Sequence, residues 1–259
     1  VSLLSQNPWS GATSAHQTAR QRESDYFDTR VEAEGDFNPF AERGWDTLAR
    51  RFREMVPLTA PVCLLDVGCG TGQSRRLYLD GCWRYVAVDL SLGALRKAAG
   101  RFPASAWIRS DAAQLPFADR QFDVVAFSSV LHHIENFALP VREGLRVLRP
   151  GGYAFAFDPN LHHPAMALFR CPRSLTYTPK GVSPNERPLA PGQLRRVFET
   201  SGFEAVRQRC QADIPYRAVT PKPLNALLGA YNACDRLIEL CGLGRWLGTF
   251  VITVGRKPQ

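Results

Sequence analysis

Leu64-Leu65-Asp66-Val67-Gly68-Cys69-Gly70-Thr71-Gly72 is the stretch that decides the fold. The apolar run Val62 to Val67 ends in three glycines at alternate positions, and the helix-compatible stretch 73–79 follows. That order predicts a buried strand feeding a helix through a bare loop. Glycine lacks the Cβ that would hold a ligand off, and it tolerates positive φ. The unsatisfied N–H groups of a helix start point at whatever lies in front of them. The stretch therefore predicts a site for an anionic or polar ligand.

Spacing narrows the ligand. A dinucleotide fingerprint is Gly-x-Gly-x-x-Gly, whereas here the third glycine arrives one residue early. That disfavours an NAD-linked oxidoreductase, which stays as the alternative reading. At 259 residues and 45% hydrophobic, the chain is long enough to bury a sizeable core, as one large domain or as one domain with substantial insertions. Its seven cysteines form no Cys-x-x-Cys pair, and an odd number suits a reducing, cytoplasmic setting. Residues 1–24 are polar, with no basic stretch leading into an apolar one. They read as a mobile leader rather than a secretory signal. The net charge of +8 is uneven, because residues 161–259 alone hold 14 basic and 6 acidic side chains.

Working outward, residues 25–60 read as a helical cap, with Trp45, Leu48, Phe52 and Met55 at helical intervals and Tyr26, Phe27 and Arg30 as lid candidates. Beyond the glycines, Tyr85 to Val88 is an apolar strand ended by Asp89, and Ser91 can cap a helix striped by Leu92, Leu95 and Ala99. A carboxylate at the end of the strand beside the glycine loop can accept from both hydroxyls of a ribose. Strand 106–109 then stops at Ser110-Asp111. The unalternating run 121–127 predicts a strand buried on both faces of a parallel sheet, and it leads into Ser128-Ser129-Val130-Leu131-His132-His133. A helix over 141–148, the break Arg149-Pro150-Gly151-Gly152 and a strand over 153–157 follow.

With Asp66 inside the strand and Asp89 ending the next, the stretch resembles the first motif of the class I S-adenosylmethionine (SAM) dependent methyltransferases. Asp-Ala-x-x-Leu-Pro-Phe from Asp111, the segment after strand four and Leu-Arg-Pro-Gly-Gly are similar to later motifs of that family, in its small-molecule type-11-like branch. The resemblance covers roughly residues 60–160 and implies an α/β fold: a Rossmann-like, seven-stranded, mostly parallel sheet with helices on both faces and an antiparallel last strand. It implies SAM as cofactor, held by Asp66, Gly68, Cys69, Gly70, Asp89, Leu90, Asp111, Ala112 and Ser128, with Asp111 and Ala112 reading the adenine and Leu90 and Leu115 covering its face. No metal is expected, since adjacent histidines cannot easily face one ion.

The rest of the methyltransferase domain, 61–259, carries two insertions, about 158–191 and 212–247. Both leave the sheet at its carboxyl edge, where open α/β sheets bind ligands, and so read as substrate lids. The second has apolar Leu224, Leu227, Leu228, Tyr231, Ile238 and Cys241 at near-helical spacing. It suits a bulky substrate, a peripheral membrane contact or a homodimer interface, and charges interrupt it before it could span a bilayer. The expected activity is methyl transfer to a small-molecule or lipid-like acceptor at a hydroxyl oxygen. His132 or His133 is the candidate base, with Asp158, His162 and His163 as alternatives. A catalytically inactive SAM-fold binding protein is a further alternative. Nucleic acid is not favoured as a partner, because Ser-Ser-Val-Leu-His-His stands where a nucleic-acid enzyme of the family would carry its catalytic segment.

Overall fold

The computed structural model describes residues 14–35, 38–58, 61–78, 82–177, 182–217 and 226–259. Seven strands form one sheet: β1 (Val62–Val67), β2 (Cys82–Asp89), β3 (Ala106–Arg109), β4 (Phe122–Ser128), β5 (Leu148–Pro159), β6 (Glu204–Gln211) and β7 (Phe250–Arg256). Their spatial order is β3-β2-β1-β4-β5-β7-β6. Pairing is parallel from β3 through β5, and β7 runs antiparallel to both β5 and β6. The expected topology is therefore the observed one, with its reversal of strand order between β1 and β4.

The core follows from the two-residue period of the strands. Leu64 and Val124 face one apolar layer, where α2 (Glu42–Met55) packs Trp45, Leu48 and Phe52 against Tyr78 and Phe155. Cys63, Leu65, Val125 and Phe127 face the other, closed by Val141 of α4 (Ala138–Val147) and by Leu194 and Phe198 of α6 (Pro191–Ser201). Phe52 is fully buried, and such a side chain contributes about 1.5–3 kcal/mol.

Four local expectations change. Where a helix over 73–79 is expected, the described residues form a 3-10 turn, Gln73–Leu77, entered through Gly72 at φ 83°; residue 79 lies outside them. The leader is not wholly irregular, because α1 spans Ser14–Glu34; residues 1–13 lie outside the described residues. The sequence hides this helix because its docking is polar. Asp28 accepts from Ser91 Oγ at 2.5 Å and from Gly93 N at 2.8 Å, at the start of α3 (Leu92–Arg101). The buried stripe of α3 is Ala94, Leu95 and Ala98. Finally, Leu148 leaves the expected helix to pair with Phe122, so the Arg-Pro-Gly-Gly break lies inside β5.

Of the two insertions, 158–191 is laced to the sheet edge: Leu189 N donates to Pro159 O and Leu161 N to Leu189 O. It carries the short helix α5 (Pro164–Phe169). The second carries α7 (Leu228–Leu240) and α8 (Gly244–Leu247); Leu224 lies outside the described residues. Gly248, where that segment rejoins β7, is pressed on the end of β6. An added Cβ would sit 2.2 Å from the Gln211 carbonyl carbon and 2.5 Å from Ala212 N. Gly248→Ala should thus destabilise the fold by about 1–3 kcal/mol, as overpacking does, read as a lowered midpoint in urea unfolding.

Candidate cofactor and acceptor site

One large cavity, about 320 Å³, opens along the carboxyl edge of β1, β2 and β4. This is the switch point where a doubly wound sheet binds its ligand. Its floor is the glycine loop. A Cβ at Gly70 would meet nothing within 4 Å, so this residue leaves the space free, whereas one at Gly68 would strike Val130 at 2.3 Å. The loop's amides are mostly engaged within the protein: Gly68 N and Cys69 N donate to Val88 O, and Gly72 N to Cys69 O. A five-residue 3-10 turn also supplies no long helix dipole, so the expected donation from a helix start gives way to donation inside the loop.

Asp89 provides the polar anchor. Its Oδ2 accepts from Gly70 N at 2.8 Å and its Oδ1 from Ser91 N at 2.9 Å. Burial raises its pKa, and the hydrogen bonds from the Ser91, Gly70 and Leu90 backbone oppose that shift. Each oxygen keeps acceptor capacity toward the cavity, because a carboxylate offers about four lone-pair sites.

Asp66 sits elsewhere. It is wholly buried beneath the loop and does not line the cavity. Its oxygens accept from Ser74 Oγ, Tyr85 OH and Ser128 Oγ at 2.5–2.6 Å. Burial lifts its pKa to about 6, against those three hydroxyl bonds. The expectation that it holds the ligand directly meets a physical obstacle: it lies below the cavity lining, and three hydroxyls of the groups that shape the floor already bond its oxygens.

Leu90, Asp111, Ala112, Ala113 and Ser128 line the cavity. Leu115 does not; it is buried in the core instead. Asp111 Oδ1 accepts from Ala113 N, and Arg20 of α1 lies 2.6 Å from its other oxygen. Ser129 lines the cavity at φ 55°, a left-handed backbone that costs a serine free energy.

His132 and His133 both reach the cavity wall, their rings 3.9 Å apart. Asp158 Oδ1 accepts from the His132 backbone N–H at 3.1 Å and lies 2.8 Å from His132 Nδ1. That one oxygen therefore meets both the backbone and the ring of His132. Burial pushes the His132 pKa well below 6.5 and lifts the Asp158 carboxyl to about 8. The imidazole is therefore neutral near pH 7. His133 goes the other way: burial opposes its charge, but the bond to Glu23 and the nearby carboxylates raise its pKa. Its Nδ1 lies 2.9 Å from Glu23 Oε1 and 2.8 Å from Ser183 Oγ.

His162 is exposed, and neither it nor His163 lines the cavity. His163 is buried against Tyr231, with its pKa lowered by burial to about 4. Of the lid candidates, Phe27 and Arg30 line the cavity. Sequence reasoning missed Arg20, Glu23 and Ser24 in the supposed leader, as well as Asn185 and Glu186 from the first insertion. The far end of the cavity is aromatic, lined by Phe40, Trp45, Phe157, Tyr216 and Phe250. Phe40 meets Trp45, Tyr216 and Phe250 edge-on at 5.0–5.3 Å. From the second insertion Tyr216 reaches the cavity, while none of the described residues 226–247 lines it.

Part of the chain is similar to proteins of known function. Residues 65–156 match the methyltransferase domain family. A demethylmenaquinone methyltransferase of Renibacterium salmoninarum is 39% identical over 107 residues, 41% of this chain and 44% of that protein. A malonyl-[acyl-carrier protein] O-methyltransferase of Pseudescherichia vulneris is 33% identical over 115 residues, 42% and 45% of the two chains. The chain thus spans less than half the length of these relatives. Phosphoethanolamine N-methyltransferase 2 of Haemonchus contortus, solved with S-adenosyl-L-methionine, superposes with a TM-score of 0.64 at 18% identity, over 96% of this chain and 61% of that one. Residues 65–156 are thus similar to a methyltransferase domain, and the chain shares its fold with solved methyltransferases.

Proposed function

We propose that this protein is a SAM-dependent methyltransferase whose acceptor is a small or lipid-like apolar molecule carrying a hydroxyl. The observation that carries the reading is a single cavity with two chemically distinct ends. A carboxylate and an open glycine lie over β1 and β2, and an aromatic chamber lies over β5 and β7, with His132 on the wall. The open space at Gly70 and the spare acceptor capacity of Asp89 suit a nucleoside.

In this reading Asp89 accepts from the ribose hydroxyls, Leu90 and Ala112 border the base, and Asp111 accepts from its amino group. Gly68, Cys69, Gly70 and Ser128 form the floor. When bound, SAM supplies a methyl activated on a sulfonium, so the protein's work is alignment and exclusion of water. Phe27, Arg20 and Glu23 of α1 close one side of the cavity. Phe40, Phe157, Tyr216 and Phe250 hold the apolar body of the acceptor. The relative named for demethylmenaquinone, a ring-bearing quinone, favours such a body, and the relative named an O-methyltransferase favours oxygen. His132 Nε2 takes the acceptor's hydroxyl proton, while Asp158 holds the ring in the required tautomer.

The test is transfer of label from methyl-tritiated SAM to hydroxylated aromatic and quinol acceptors recovered in organic solvent. Absence of label in every such acceptor, with SAM still bound, refutes the acceptor class. Asp89→Ala should weaken SAM binding by about 1–3 kcal/mol, roughly 5- to 150-fold, because it leaves hydroxyls unpaired; calorimetry measures this. His132→Ala should lower kcat by roughly 10²–10⁴ and leave the SAM dissociation constant unchanged. A histidine with lowered pKa stays a base as pH falls through 6.5. The acid limb of kcat/KM should accordingly lie below 6.5 in the wild type and vanish in His132→Ala.

A further inference from the structure

The helix α7 keeps much of its apolar surface outside, although Leu228, Tyr231 and Ile238 are half-buried. Surface helices normally bury their apolar stripe and expose charge, as α2 does with exposed Arg43, Asp46, Arg50 and Arg53. In α7 the only fully buried residue is Asp235. Its carboxylate accepts from Thr249 Oγ1 at 2.6 Å and from Ile214 N at 3.2 Å. Asn232 brackets Tyr216, accepting from its N–H and donating to its carbonyl. The outward positions 230, 233, 234, 237, 240 and 241 are Ala, Ala, Cys, Leu, Leu and Cys, all exposed. Leu237 is 57% and Leu240 74% exposed, and Leu227, Leu243 and Trp246 extend the same apolar character at the two ends of the helix.

A second helix behaves alike. All six residues of α5 are uncharged and none is buried, with Leu168 and Phe169 about half exposed. The two helices are neighbours, for His163 at the start of α5 meets the Tyr231 ring of α7 at 5.5 Å. Among the described residues no helix is long and apolar enough to cross a membrane.

Charge selects the occupant. Exposed Arg173, Arg217, Arg236 and Arg245 stand on the segments carrying these apolar residues. Of the carboxylates on those segments, Asp158 and Asp235 are buried, Asp213 pairs with Arg43, and Glu186 and Glu239 are half-buried. Residues 161–259 carry the chain's whole excess, 14 basic against 6 acidic. A second copy would bring the same positive charge to the contact and be repelled. An anionic bilayer satisfies both features, taking the leucines into its acyl boundary and the arginines at its headgroups. Arg245 lies 3.8 Å over the Trp246 ring, a cation–aromatic pair suited to the headgroup level.

We propose that the α5–α7–α8 face docks the protein on the surface of a membrane rich in anionic phospholipid. This inference is independent of the methyl-transfer reaction, since it needs no activity to be seen. The full-length protein should co-sediment with vesicles containing phosphatidylglycerol, bind vesicles of pure phosphatidylcholine much more weakly, and be released by added salt. Leu237→Ser with Leu240→Ser alters only exposed positions. It should reduce partitioning roughly tenfold or more, with an unchanged circular dichroism spectrum. Trp246 fluorescence, isolated by comparison with Trp246→Phe, should shift to the blue on adding anionic vesicles. Three results overturn the proposal: no binding to anionic vesicles, equal binding to neutral ones, or binding unaffected by the double variant. A dimer in sedimentation velocity that the double variant dissolves, without vesicle binding, would assign the face to a second copy instead.

Discussion

The structure depends on a carboxylate that water never reaches. Asp66 accepts from Ser74 beyond the glycine loop, from Tyr85 on β2 and from Ser128 at the end of β4. It therefore ties the loop to the strands on both sides of the sheet's switch point. Burying a carboxylate is costly unless its hydrogen bonds are met, and here three hydroxyls meet them. Tyr78, whose hydroxyl lies 2.8 Å from Ser128 Oγ, links this buried cluster to the apolar layer under α2. Gly70 and Asp89 hold their positions because the floor beneath them is fixed in this way.

From that floor the cavity divides along the order of the strands. Polar acceptors come from the ends of β2 and β3, apolar rings from β5 and β7, and the histidine pair from the segment after β4 that lies between them. Neighbouring strands are spaced about 4.8 Å apart, so five spacings separate the polar end of the cavity at β3 from the apolar end at β7. The roof is built by other means. Arg20 reaches Asp111, Glu23 reaches His133, and Asp28 caps α3, so α1 is held by ionic and polar contacts at three points.

The two histidines illustrate how position sets protonation. They are adjacent in the chain, but His132 faces a buried, protonation-prone Asp158 and stays neutral, while His133 faces Glu23 and favours its charged form. Two neighbouring imidazoles thus have pKa values pushed apart by their surroundings alone.

The sequence by itself determined the sheet, the glycine loop and the Asp89 that stands beside it. Strand periodicity, three glycines and strand-terminal aspartates are local signals, set by sterics and hydrogen bonding within a few residues. Tertiary structure alone decided what depends on distant partners. Asp66 had the right type and spacing for a ligand-binding residue, and only its three hydroxyl neighbours from other elements place it beneath the floor. Helix α1 was illegible because polar contacts across more than sixty residues of chain leave no apolar stripe to read. Likewise, apolar spacing announced the helix α7 but could not say which way it faces. Asn232 and Asp235 decide that by finding partners inside, and so turn the leucines outward.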